Sequence, residues 1–458
     1  MAREIRILST QAYGMGINSE FWQAGLDLKP DVIAAQGTTS DGGPAYLGSE
    51  SPFNAIGIRN DLRKIITSAK QLKIPFIVSS GGPGGSNRTL SIAIGLVNEI
   101  AKEESLQLKV AVIPGELNKD YLKKKLRDGF KARRLVGIER LSEYLTEQEV
   151  DEAECIVSQM GPEPIIEALK QGVDGVITGR ALDVALYMAF PLLNGFDPGL
   201  SAHLAKTIEC SGLVTTPQSG DPVFGILRDE YFLVLPTNKD TKCTIQSVIG
   251  HAFYERHDPF GEENPGFRLD ISNAKYEQYD EATVKVSGSR NIPRPYTLKV
   301  EGVKVAGYRT ICVSGIRDPH LIESLDWFLK DTVEYVQKKH AEYEWRKDYE
   351  LYFRVYGKDA VLGSVEPIKK TASHEVGLII ESLARTQPIA NAICTAAVDH
   401  IAHMPYPGRI STAANVAFSY SPREIPLGAS YIYHIWHALE LDDPCEPFKT
   451  QMVSFPSN

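Results

Sequence analysis

The chain has 458 residues, 43% hydrophobic and 23% charged, an ordinary soluble globular composition with length for two to three domains. A formal net charge of −9 argues against nucleic acid or an anionic membrane surface as partner. The six cysteines are scattered without a CxxC pair, no apolar run reaches membrane-spanning length, and Arg3 to Leu8 reads as a strand rather than a leader, so a cytoplasmic protein is expected.

In chain order, Ile5 to Leu8 is a predicted first strand, and Asp31 to Ala35 a second, ending in the small-residue loop TTSDGGP. Asn60 to Leu72 has helical apolar spacing, carried by Leu62, Ile65, Ile66 and Ala69. Ile74 to Val78 is a buried-type strand that runs into SSGGPGGSN and a helix over Arg88 to Lys102, with Ser86 or Asn87 as its cap. Further strands are expected at Leu108 to Ile113, Glu154 to Ser158 and Gly175 to Thr178, with a helix over Pro164 to Gln171. Alternating strands and helices predict an α/β fold whose N-terminal half is a doubly wound, mainly parallel sheet. From about Thr215 the texture becomes β-rich, with strands expected at Phe232 to Leu235, Thr244 to Val248, Ala282 to Val286 and Tyr296 to Val300. A long helix over Pro319 to Lys339, strands over 350–356 and 376–382, and a helix over Gln387 to His400 predict a small, ferredoxin-like α+β layer. The expected domains are 1–214, 215–318 and 319–458.

Three strand ends carry small polar loops, TTSDGGP, SSGGPGGSN and TGRALD, and ligands of parallel sheets bind beyond the carboxyl ends of strands. Gly81, Gly82, Gly84, Gly85 and Asn87 have the composition of an anion-holding turn before a helix N-terminus. The loop is neither GxxxxGK[ST] nor GxGxxG, so it names no nucleotide, and a plain tight connection is the alternative. Arg180 is a candidate clamp for a substrate carboxylate, with Asp183 three residues on; alternatively the two pair with each other. In the segment HLAKTIECSG, His203, Glu209 and Cys210 come close in sequence, and Cys210 is either a nucleophile or a buried small hydrophobe. Near the C-terminus His400 and His403 share a helix face, but HxxH lacks a third ligand, so no metal is assigned and any cofactor stays undefined. The turn Tyr406-Pro407-Gly408-Arg409, followed by Ser411, Thr412 and Asn415, reads as a stiff presentation of an arginine to a ligand.

These stretches resemble the acyclic terpene utilisation (AtuA-like) family. The matching runs are SSGGPGGSN, GPEPIIEALKQGVDGVITGRALD, HLAKTIECSG, VKVSGSR and HMPYPGRISTAANVAFSYSP, which together span most of the chain. The resemblance implies catabolism of branched or terpenoid acyl compounds. Two departures mark a divergent branch: the family's EP-GTGG run is replaced around Leu235 to Lys242, and Pro83-Gly84-Gly85 replaces an asparagine–proline. Some family members carry a small extra C-terminal module or have a separate small companion protein, so the resemblance implies a companion subunit for this chain.

The reading reached is an enzyme of a small carboxylic acid or its acyl thioester, most simply a hydratase or lyase. Arg180 and Arg409 would fix carboxylate or phosphate groups, with Thr412 and Asn415 beside them, and the glycine loop would hold an oxyanion. Asp183 or His403 would move the proton. The alternatives are an incomplete binding subunit that needs the companion, and a thiol hydrolase or acyltransferase using Cys210. A symmetric homo-oligomer is the expected assembly. A dehydrogenase is disfavoured because STQAYGMG lacks the dinucleotide pattern, and a P-loop ATPase because no lysine follows the glycines.

Overall fold

The computed structural model describes residues 3–49, 54–135, 137, 139–410, 412 and 414–456. The chain forms two compact units, Met1–Lys304 with Tyr433–Asn458, and Val305–Ile432. The first opens with β1 (Glu4–Gln11), α1 (Ser19–Asp27), β2 (Val32–Gln36), a short α2 (Ala45–Gly48), α3 (Ala55–Leu72), β3 (Phe76–Ser79), α4 (Asn87–Glu103) and β4 (Leu108–Ile113). It continues through α5 (Lys119–Arg127), β5 (Ala132–Arg134), α6 (Glu147–Glu152), β6 (Cys155–Ser158), α7 (Pro162–Leu169), β7 (Gly175–Thr178), α8 (Asp183–Leu193) and α9 (Pro198–Ile208).

β1, β2, β3, β7 and β4 lie side by side in that order, and each neighbouring pair is parallel. Successive residues point to opposite faces. Leu8, Ile33 and Val78 pack with α1, α3 and α4, while Ile7, Val32 and Ile77 pack with α7, α8 and α9. Both faces are therefore covered, which is why these strands read as unbroken apolar runs rather than alternating ones.

After α9 come β8 (Val223–Arg228), β9 (Tyr231–Pro236), α10 (Ile245–Ala252), β10 (Gly261–Asn264), β11 (Phe267–Asp270), β12 (Lys275–Gln278), β13 (Val284–Ser287) and β14 (Arg290–Pro293). The β-rich stretch extends the first sheet. β8 pairs antiparallel with β1, β9 with β8, β13 with β9 and β12 with β13, while β10, β11 and β14 form a separate three-stranded sheet. The sheet is therefore mixed, with a parallel centre. The strand expected over Thr244 to Val248 is instead the start of α10. Its β-branched residues mimic a strand, but the Thr244 side chain accepts the Ser247 N–H and Ser247 answers to the Thr244 N–H, a reciprocal helix cap.

β15 (Thr297–Ile316) gives its first residues to the first unit, where Val300 to Val303 pair with β6. In the second unit β15 pairs antiparallel with β17, and β17 with β16. The elements there are α11 (Pro319–Glu323), α12 (Leu325–Lys339), β16 (Tyr349–Tyr356), β17 (Val376–Ala384), α13 (Gln387–His403) and β18 (Ala417–Phe418). The single helix expected over Pro319 to Lys339 is broken at Ser324, which ends α11 and precedes α12. β19 (Glu424–Glu440) returns to the first unit and pairs with β5, and β20 (Gln451–Phe455) closes the far edge of the large sheet against β4. Among the described residues, no helix is long and apolar enough to cross a membrane.

Backbone packing at the strand ends is tight. Gly85 has φ +66°, and a Cβ there would lie 2.6 Å from the Arg180 nitrogen. Gly95 is exposed in α4, and a Cβ there would meet nothing within 4 Å. Gly85→Ala is expected to cost roughly 3 kcal/mol in denaturant unfolding, combining left-handed strain with overlap. Gly95→Ala is expected to gain about 0.5–1 kcal/mol from helix propensity. Equal values for the two variants would contradict this packing.

Candidate functional site

The loops after β2, β3 and β7 meet, as their common place at the carboxyl end of the sheet requires. Gly84 N donates to Thr39 O at 2.8 Å, Arg180 N donates to Gly85 O at 2.9 Å, and Gly37 N donates to Ser79 Oγ at 2.7 Å. The glycine loop is thus knitted into its neighbours, with Gly81, Gly82, Gly84 and Gly85 all at positive φ. The N-terminus of α4 already has an anion: Asn87 N donates to Glu116 Oε2 at 2.8 Å. Ser86 occupies the cap position without a side-chain cap bond.

Arg180 is buried and held by several partners. Its Nε lies 3.1 Å from Glu301 Oε2, and its Nη1 donates to Thr38 O at 3.1 Å, to Ala181 O at 3.0 Å and to Asp183 Oδ1 at 3.2 Å. The sequence-level choice between a substrate clamp and a pair with Asp183 therefore has the pair in place, with Glu301 as a further partner. Glu301 also takes Lys299 Nζ at 3.0 Å and Gln159 Nε2 at 2.9 Å on Oε1. Against the cost of its burial, Arg180 and Lys299 hold the Glu301 carboxyl below its ordinary value.

Asp183 is the first residue of α8, where the positive end of the helix favours a carboxylate. Its side chain keeps 27% of its surface and lines a cavity of about 220 Å³ beyond the ends of β1 and β2. Gln11, Gln36, Tyr13, Glu209 and Cys210 share that lining. Burial, opposed by Arg180 and by a hydrogen bond from Gln36, raises the Asp183 carboxyl. Burial, opposed by the Lys206 ammonium and reinforced by the Asp183 charge, pushes Glu209 up to about 8. Burial and the Asp183 charge also push the Tyr13 phenol up, which keeps it neutral. The Cys210 thiol is pushed up to about 12 by burial and by Glu209, a setting that leaves little thiolate at neutral pH. Tyr187, buried under this floor, donates to Thr10 O and accepts from Gln36 N, fixing the ends of two strands at once.

In the second unit, His403 is exposed at the last turn of α13, and Arg409 Nη1 donates to its carbonyl at 2.8 Å. Asn415 Nδ2 donates to Ile401 O and Met404 O, closing that helix end, while its Oδ1 is buried without a hydrogen-bond partner. Arg409 and Asn415 line a cavity of about 340 Å³ together with Arg317, Asp318 and Tyr406. Thr412 is exposed, and Ser411 lies outside the described residues. His400 sits 3.1 Å from Asp331 and stacks on Tyr335, so the HxxH pair is divided between a carboxylate neighbour and solvent. A further cavity in this unit, about 640 Å³, is lined by Arg317, Lys358, Lys369, Lys370 and His374 among others.

Sequence reasoning missed Glu301, Gln36, Tyr187 and His251. Glu301 is 121 residues from Arg180, and nothing local marks it. Glu209 and Cys210 were singled out with His203, which the fold turns away from them. The His203 ring is fully buried, with Nδ1 2.7 Å from Ser289 Oγ and Nε2 3.2 Å from Tyr276 Oη. Burial lowers its pKa to about 3. The unfolded chain takes up this proton first as pH falls, so the stability it lends is whole above about pH 6.5 and is lost between there and about 3. Unfolding free energy should fall by up to about 1.4 kcal/mol per pH unit across that window from this group. His203→Gln is expected to flatten the slope by that amount, and an unchanged slope in denaturant titrations at stepped pH would contradict the assignment.

No curated protein and no solved structure shows significant similarity to the chain. Residues 55–425 match the family described as "Acyclic terpene utilisation family protein AtuA". That span runs from α3 to the start of β19 and takes in the glycine loop, Arg180, Asp183, Glu209 and Arg409. The chain belongs to the acyclic terpene utilisation family.

Proposed function

We propose that the chain is an enzyme of a small carboxylic acid or its acyl thioester, acting as a hydratase or lyase with Asp183 as the group that moves the proton. The observation that carries this reading is the 220 Å³ cavity at the carboxyl ends of β1 and β2, where Asp183, one of four carboxylates in the lining, is partly open and is held by Arg180. A base is useful only where the reacting proton can come within hydrogen-bond reach, and Asp183 combines an accessible face with a fixed orientation from Arg180 and Gln36. Hydration and its reverse need one group to take a proton next to a carbonyl and another to give one at the departing hydroxyl. Tyr13, lining the same cavity, is the donor in this proposal. In this proposal Arg180 acts through Asp183, since its Nη1 donates to that carboxylate and its Nε pairs with Glu301. In the second unit, the Arg317 and Arg409 pair at the 340 Å³ cavity has the charge for a carboxylate or phosphate group.

The test is a thermal-shift panel of di- and tricarboxylates, branched acids and their thioesters, followed by turnover assays on whatever binds. A ligand at a hundred times its dissociation constant adds about 2.7 kcal/mol to the folded state. Asp183→Asn is expected to keep the binding shift and the fold while lowering turnover by about 10²–10⁴-fold. Arg409→Ala is expected to weaken only binding of a carboxylate or phosphate group at the second unit's own cavity. Full turnover by Asp183→Asn, or no shift with any acid or thioester, would overturn the proposal.

A further inference from the structure

Glu209 closes α9, Cys210 follows it, and His251 lies in the last turn of α10. The nearest oxygen, sulfur and nitrogen atoms of these three side chains all lie within 4.8 Å of one another. His251 is only 8% exposed, its ring bonds the Lys206 backbone, and its Nε2 is buried with no hydrogen-bond partner. A buried polar atom left unpaired costs on the order of 1–3 kcal/mol, so an imidazole with an unpaired nitrogen beside a thiol and a carboxylate calls for a ligand. We propose that Glu209, Cys210 and His251 form a three-ligand site for a zinc-class divalent cation, with its fourth position open to the adjoining cavity.

The donor chemistry selects the metal. A thiolate, an imidazole and a carboxylate suit zinc, cobalt or ferrous iron, whereas magnesium and calcium prefer oxygen alone. Three protein ligands and an open place are the pattern of a working site, since structural zinc sites close all four. Zinc–ligand bonds of about 2.0–2.3 Å put tetrahedral ligand atoms about 3.3–3.8 Å apart. Closing from 4.8 Å takes roughly one ångström of side-chain movement, within reach of rotamer adjustment. Asp41, Asp183 and Glu255 line the same cavity, and these carboxylates offset the Lys206 ammonium that pairs with Glu209 and Glu255 from behind the site. Lys206 reaches Glu209 Oε1 at 2.5 Å from α9, so one carboxylate oxygen is oriented by a partner outside the site, as metal-binding carboxylates usually are. The Lys206 backbone does the same for the His251 ring.

The site does not depend on the reaction proposed above, and its test reads the metal directly. The full chain, stripped by chelator and titrated with cobalt(II), is expected to bind one equivalent with an intense near-ultraviolet thiolate-to-cobalt band and tetrahedral visible bands, both removed by added zinc. Cys210→Ser should abolish the near-ultraviolet band, and His251→Ala should weaken cobalt binding at least about tenfold. Cys445→Ser, at a half-buried cysteine elsewhere, should leave the spectrum unchanged. Circular-dichroism melts check that each variant folds, and His251→Asn replaces any that does not. No thiolate band in the parent chain, or a band that survives in Cys210→Ser, would overturn the site while leaving the proton-transfer role of Asp183 open to its own assay.

Discussion

The ion pair between Arg180 and Glu301 organises the first unit around the end of its sheet. Both side chains are almost wholly buried, and burying two charges is costly unless every remaining hydrogen-bonding site is met. Here they are met from many directions: Arg180 also serves Asp183, Thr38 and Ala181, and Glu301 also takes Lys299 and Gln159. A network of this kind specifies one arrangement, because leaving any member unpaired in a low-dielectric interior costs more than the pair contributes. The ends of β2, β7, β15 and the segment after β6 are held together by it.

That constraint explains the character of the neighbouring cavity. Asp183 is fixed at a helix N-terminus by a guanidinium that solvent does not reach, so its charge and direction are set before any ligand arrives. Preorganised charge of this type is where proton-transfer sites gain most of their effect. The same cavity gathers Glu209 and Cys210 from the end of α9, and α10 brings His251 to them. Several carboxylates close together in a poorly solvated place repel one another. Burial is the main reason that their proton affinities are raised, and for Glu209 the Asp183 charge adds to it.

The glycine-rich loop makes close backbone contacts with its neighbours. Glycine permits close approach of a backbone to a ligand, and equally of a backbone to another backbone. At Gly85 the neighbour is the Arg180 main chain, and the α4 N-terminus takes the Glu116 carboxylate. The loop thereby holds in register the strand end that carries Arg180 and Asp183. In the second unit the stiff Tyr406–Arg409 turn is likewise tied to the end of α13, by Arg409 on the His403 carbonyl and by Asn415 on two more.

What the sequence determined by itself was local: apolar runs of strand length, helical spacing, and small polar loops at strand ends. Those patterns identified the α/β class and put Arg180, Asp183, Glu209 and Cys210 among the residues of interest, because their meaning rests on neighbours a few positions away. Tertiary structure decided the rest. It added β8 and β9 to the edge of β1, whereas the helix over Thr244 to Val248 rests on a local cap that the β-branched residues had masked. It also sent His203 into the core and brought His251 to Glu209 and Cys210. Pairing of Arg180 with Glu301 crosses 121 residues, and a contact at that range depends on how sheets and helices close around a shared core, which no local periodicity encodes.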